Sequence, residues 1–174
     1  MNIKTITAHL LLLPLLAGCG KPTPPGAGLH DAARTGNIEA IQQHIKVASD
    51  LNEKEPASGG GPLHTAAAFG QLGALRALIQ AGADVNARNN DGATPLISAA
   101  FLCRTEIVRY LLAHGADKNA KDKAGHTALD SVSGPFDQVK GIYDFLQSAL
   151  GPVGLKLDHD VIKATRPQIT DLLR

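Results

Sequence analysis

The sequence predicts an all-α solenoid, in which short helix-turn-helix units stack side by side and a β-turn loop projects from each. Three observations predict it. Four segments recur in phase: Leu29-His30-Asp31-Ala32-Ala33, Leu63-His64-Thr65-Ala66-Ala67, Leu96-Ile97-Ser98-Ala99-Ala100 and Leu129-Asp130-Ser131-Val132-Ser133. Their leucines stand 34, 33 and 33 residues apart. A second landmark keeps that phase, at Asp50-Leu51-Asn52, Asp84-Val85-Asn86 and Asp117-Lys118-Asn119. The third is a glycine before each new unit, at Gly59, Gly92 and Gly125. No such unit buries its apolar face alone, so neighbours must stack.

In chain order, the first element reads as an address. Met1-Asn2-Ile3-Lys4 is followed by the apolar run Leu10 to Leu16 and by Ala17-Gly18-Cys19. A short basic region, an apolar region and small residues are the three parts of a secretory signal. The apolar run is short and broken by Pro14, which disfavours a bilayer span. Leu16-Ala17-Gly18-Cys19 resembles the bacterial lipobox. The resemblance implies cleavage before Cys19 and lipidation of that residue. Gly20, rather than Asp, follows it, which in Gram-negative lipoproteins implies the outer membrane, facing the periplasm. The expected divisions are a signal peptide over 1–18 and a lipidated, proline-stiffened tether over 19–27.

The repeats are expected over 28–60, 61–93, 94–126 and 127–150. The first has an irregular turn, Glu53 to Ser58, and takes the place of an N-terminal cap. In the second, Pro62 suits a helix start, where its missing N–H is not needed. Ala66 and Ala67 let that helix lie close to its neighbours, and Gly70 supplies a left-handed stop. Leu72, Leu75, Leu78 and Ile79 recur at helical spacing and make the buried stripe of a second helix. The third unit repeats this with Ile107, Val108, Leu111 and Leu112. There Cys103 stands where Gly36 and Gly70 stand, a costly place for a side chain. In the fourth, Gly134-Pro135 interrupts the first helix, and Val139, Ile142, Tyr143, Phe145 and Leu146 are expected on the second. Residues 151–174 read as degenerate C-terminal capping helices. Leu157 precedes Ile169, Leu172 and Leu173 as Leu96 precedes Val108, Leu111 and Leu112, which suggests a partial fifth unit.

These units resemble the ankyrin repeat. Thr94-Pro95-Leu96 and Pro62-Leu63-His64 match its Thr-Pro-Leu-His opening in part. Gly82-Ala83-Asp84-Val85-Asn86-Ala87 and Gly115-Ala116-Asp117-Lys118-Asn119-Ala120 match its second turn. The resemblance implies a protein-binding module with a concave groove built from turn tips and the exposed ends of the first helices. Mapped by repeat position, the partner-binding residues are Arg34, Phe69, Arg88, Asn90, Asp91, Phe101 and Leu102. Phe69, Phe101 and Leu102 make an apolar patch in a place where the family is usually polar; they either mark an interaction site or fold over to complete the core. The resemblance also implies that His30 and His64 tie their turns together by hydrogen bonding.

Composition and motifs exclude other classes. Once residues 1–18 are set aside, sixteen basic and sixteen acidic residues remain, so nucleic acid finds no electrostatic footprint. With Cys19 modified, Cys103 has no intramolecular partner, which excludes a disulfide framework. Ser58-Gly59-Gly60-Gly61 lacks the Lys and Ser/Thr of a phosphate loop. Asp158-His159-Asp160 is the densest cluster of metal-type ligands, but adjacent residues on a helix point apart. No convergent acid, base and nucleophile can be assembled. The chain is therefore expected to be no enzyme, with no cofactor, metal or small-molecule substrate. Its expected role is an exported, lipid-anchored interaction module of the cell envelope. The alternative is a structural or protective subunit of an envelope or periplasmic enzyme complex.

Overall fold

The computed structural model describes residues 28–174, so the signal, Cys19 and the tether lie outside the described residues. Described residues form helices and turns, with no strand. The first unit contributes α1 (Leu29–Thr35) and α2 (Ile38–Lys46). The second contributes α3 (Pro62–Phe69) and α4 (Leu72–Gln80), and the third α5 (Pro95–Phe101) and α6 (Thr105–Ala113). These are followed by α7 (Asp130–Ser133), α8 (Phe136–Leu150), a 3-10 turn at Gly151–Val153, and α9 (His159–Leu173).

Two layers result. Helices α1, α3, α5 and α7 pack in sequence as the first layer, while α2, α4, α6 and α9 make the second. Small residues set the spacing of the first layer. Ala33, Ala66, Ala67, Ala99 and Ala100 are fully buried, so these backbones approach closely and dispersion contacts are dense. Leu63 and Leu96 sit at equivalent buried places, as does Leu29, and the row ends at a partly exposed Leu129. The second layer is held by Ile41, Leu75, Leu78, Ile107, Val108 and Leu111, all buried.

The fourth unit departs from the expected arrangement. Its first helix is a single turn, because Pro135 offers no N–H and forces Gly134 into an extended conformation (ψ 165°). The second-layer place beside α6 is filled by α9, not by the helix that follows directly in sequence. Ile162, Ile169 and Leu173 of α9 are buried there, whereas α8 buries only Tyr143. There is thus no fifth unit. Ile169 and Leu173 do what the spacing predicted of them, but within the fourth.

The repeated Asp-x-Asn signature is a ladder across units. Asp84 Oδ1 accepts from Asn86 N at 2.9 Å, and Asn86 Oδ1 accepts from Asp117 N at 2.9 Å. The same step joins Asn52 Oδ1 to Asp84 N at 2.8 Å. Each aspartate shapes its own turn, and Asn52 and Asn86 each satisfy the backbone of the next unit. The glycines before each unit, Gly59, Gly92 and Gly125, all have positive φ, and the first is also sterically confined. Gly59 has φ +66°, and a Cβ there would collide with the Asn90 side chain.

Two side chains occupy the left-handed region without being glycine. Cys103 has φ 55° and Ala48 has φ 53°. The turn at Cys103 is therefore the same as at Gly36 and Gly70, and the strain is tolerated because the residue is buried in the core. Ala48 stands where Gly82 and Gly115 stand and is exposed, so its methyl gains nothing. Ala48→Gly is expected to stabilise the protein by about 0.5–1 kcal/mol, the relieved strain less the entropy of glycine. A urea midpoint that falls on this substitution contradicts that account.

Candidate partner-binding surface

The histidines implied to brace the turns do so. His64 Nδ1 accepts from Gly61 N at 3.2 Å, which leaves the proton on Nε2, 3.0 Å from Ala93 O. His30 Nε2 makes the equivalent bond to Glu53 O at 2.9 Å. Burial holds His64 below its ordinary value near 6.5. Its depressed folded value means that the unfolded chain takes up a proton first as pH falls. The stability it confers is present above about 6.5 and is lost as pH falls through that value toward the folded one. The urea midpoint is expected to drop between about pH 7.5 and 5.5, and by less in His64→Gln. Equal drops in both proteins would remove this histidine from the account.

At the turn tips, the predicted residues are used partly within the chain. Arg88 Nη1 donates to Gly92 O at 2.9 Å and to Lys121 O at 2.6 Å, which joins two tips. Asn90 N donates to Ser58 O at 2.9 Å, and Asn90 Nδ2 reaches Ala57 O at 3.3 Å. Asp91 O accepts from Lys123 N at 2.8 Å, and the residue itself is exposed. The tips are thus a braced row, each bonded to the next.

The ends of the first helices are shared with the C-terminal segment. The Phe101 ring stacks on Tyr143 of α8 with centroids 5.0 Å apart, and Tyr143 Oη donates to Phe101 O at 2.6 Å. Burial pushes the Tyr143 hydroxyl up to about 12, so it remains a donor. Past α8 the chain runs back along the helix ends. Arg34 Nη1 donates to Val153 O at 2.6 Å, and Arg104 Nη2 to Lys156 O at 3.1 Å. Phe69 is partly exposed and lines a cleft with Gly70, Gln71, Gly154 and Lys156. Leu102 is 7% exposed and belongs to the core, with only an edge left on the cleft beside Cys103 and Lys156. The expected patch is therefore split: Phe69 faces a cleft, Phe101 faces α8, and Leu102 faces inward.

A second cleft, of about 410 Å³, opens between α5, the last turn tip and α8, with Ile97, Ser98 and Phe101 on one wall and Val139 and Ile142 on the other. Sequence reasoning missed α8 as a wall. The signal was present in its unusual length between Gly134-Pro135 and Gly151-Pro152, which allows a helix longer than any in the regular units. Elsewhere, Asp158 caps α9, its Oδ1 accepting from Asp160 N at 2.9 Å and Val161 N at 3.1 Å. His159 Nε2 lies 3.2 Å from Asp144 Oδ1. These groups serve the cap and the α8–α9 junction.

Comparison with known proteins agrees with the repeat geometry. A family model described as ankyrin repeats, in three copies, matches residues 29–122, more than half of the chain. No curated protein matches it. The match covers α1 to α6 and stops before α7, where the arrangement becomes irregular. The phased leucine row, the histidine braces, the asparagine ladder and this match together place the chain in the ankyrin repeat family.

Proposed function

We propose that this chain is an exported, lipid-anchored ankyrin module that captures a protein partner in the bacterial cell envelope, at the periplasmic side of the outer membrane. Ankyrin stacks are protein–protein interaction modules, and the family match supplies that much. The observation that carries the rest is the joining, in one chain, of the phased stack to Leu16-Ala17-Gly18-Cys19 after an apolar run. Residues 1–18 would be removed and Cys19 acylated, with 19–27 as the tether. Several acyl chains anchor firmly where one is marginal. The partner would meet Phe69, Asp91 and the edges of Arg88 and Asn90 left free by their internal bonds. Arg34 and Phe101 become available where the C-terminal segment moves aside. No chemistry is assigned to the site.

Two measurements test this. Mass spectrometry of the protein from envelope fractions is expected to find acylated Cys19 as the first residue, and Cys19→Ser is expected to leave the membrane fraction. An unmodified Cys19 in a chain that keeps residues 1–18 overturns the anchor. Crosslinking in intact cells is expected to capture a partner that Phe69→Ala and Phe101→Ala release. Equal capture by these folded variants overturns the assigned surface.

A further inference from the structure

Helix α8 belongs to neither layer of the stack; it packs beside α9 and reaches the end of α5 through Tyr143. Three of its side chains make the seat, at positions i, i+3 and i+7 of one helix face. Phe136 supports the Tyr143 ring from within the helix, with centroids 5.9 Å apart, and meets the His159 ring of α9 edge-on at 5.7 Å; Val139 joins the wall of the cleft, and Tyr143 stacks on Phe101. The Tyr143 hydroxyl is held twice, donating to Phe101 O at 2.6 Å and accepting from Arg166 Nη1 at 3.1 Å. A phenylalanine there would leave a partly buried carbonyl and a guanidinium N–H each short of a partner. The seat is thus specific. It is also thin: Tyr143 is the one buried residue of α8, while Ile142 is 49% and Phe145 68% exposed. Phe136, Val139 and Leu146 are only partly buried, so this fifteen-residue helix buries less apolar surface per turn than α3 to α6 and should open more readily.

We propose that the surface beside the C-terminal end of α5, next to α9, is a docking site for an amphipathic helix, that α8 is its resident occupant, and that the partner presents an aromatic, an aliphatic and a tyrosine side chain at the spacing of Phe136, Val139 and Tyr143. The partner displaces α8 and takes over its contacts to Phe101. The occupant is read from what already sits there, a helix of this chain with its side chains in place. The inference rests on the interaction-module reading, but it fails separately, because its test needs no envelope partner.

The probe is a fluorescent synthetic peptide of residues 135–153, titrated into the full chain. In the unsubstituted protein the tethered α8 competes at a high effective concentration, so binding is weak. The variant Tyr143→Ala, which loosens the resident helix, is expected to bind the peptide at least roughly tenfold more tightly. A peptide carrying Tyr143→Phe is expected to bind about tenfold more weakly to that variant, and adding Phe101→Ala to the chain removes binding. Should Tyr143→Ala not fold, the double variant Phe136→Ala/Val139→Ala, both positions being incompletely buried, takes its place. Native-state hydrogen exchange of the unsubstituted chain is expected to show α8 amides exchanging at least about a hundredfold faster than those of α3 to α6. Equal peptide affinity for the loosened and unsubstituted chains overturns the proposal, as does protection of α8 equal to that of the repeats.

Discussion

Leu96→Ala is expected to destabilise the protein by about 3–5 kcal/mol, the upper part of the range for burying and then removing a leucine side chain. Leu96 is fully buried in the middle of the row, with α3 on one side and α7 on the other. The buried alanines of the first layer, Ala66, Ala67, Ala99 and Ala100, have no side-chain reach with which to fill the space it leaves. A domain of this size has about 5–15 kcal/mol in total, so this one change takes a large share of it. In a linear stack the loss falls on the interfaces to both neighbours. Leu129→Ala, at the partly exposed end of the row, should cost much less. Urea denaturation of both variants measures the difference. Equal losses would show that the two positions are not ordered along one row.

The second large effect is at Arg166, 4% exposed within α9. Its Nη1 donates to Ser131 O at 3.3 Å and to Tyr143 Oη at 3.1 Å, and Nη2 donates to Gly134 O at 2.9 Å. The carbonyls belong to the end of α7, where the broken helix leaves acceptors unfilled and the negative end of the dipole favours a cation. Arg166 thus closes α7, seats α8 and anchors α9 at one point. Arg166→Ala is expected to cost about 2–3 kcal/mol, from carbonyls left without donors and from the cavity. Arg166→Lys should recover less than half, because an ammonium cannot reproduce the planar fork. Thermal and urea unfolding read both. Full rescue by lysine would show that charge alone matters there.

The first three units were legible because their signals are local and repeated. Ala-Ala marks where helices touch, and Asp-x-Asn marks the ladder whose physical content is the bond from Asp84 N to Asn52 and from Asp117 N to Asn86. The fourth was not, because two helices compete for one place. Val139, Tyr143 and Leu146 recur at helical spacing, and so do Ile162, Ile169 and Leu173, and only distant packing decides which set faces α6. Within the candidate surface, Phe101 and Leu102 are adjacent in sequence, yet one ends α5 facing α8 and the other turns inward. That depends on how the last helical turn closes, which composition does not reveal. The strained Cys103 was visible as a departure from a glycine position. Ala48 carried the same strain without drawing notice, because the first unit had fewer landmarks against which to align it.

The claim beneath all of this is that each unit is stabilised by the identical faces of its neighbours. Inserting a second copy of residues 62–94 directly after Thr94 keeps the phase and adds one more pair of faces. The insertion parts Val153 from Arg34, a loss confined to an exposed contact. The account predicts a single cooperative urea transition with a higher midpoint and a steeper denaturant dependence than the natural chain. A midpoint that stays level or falls in a folded insertion protein would contradict it.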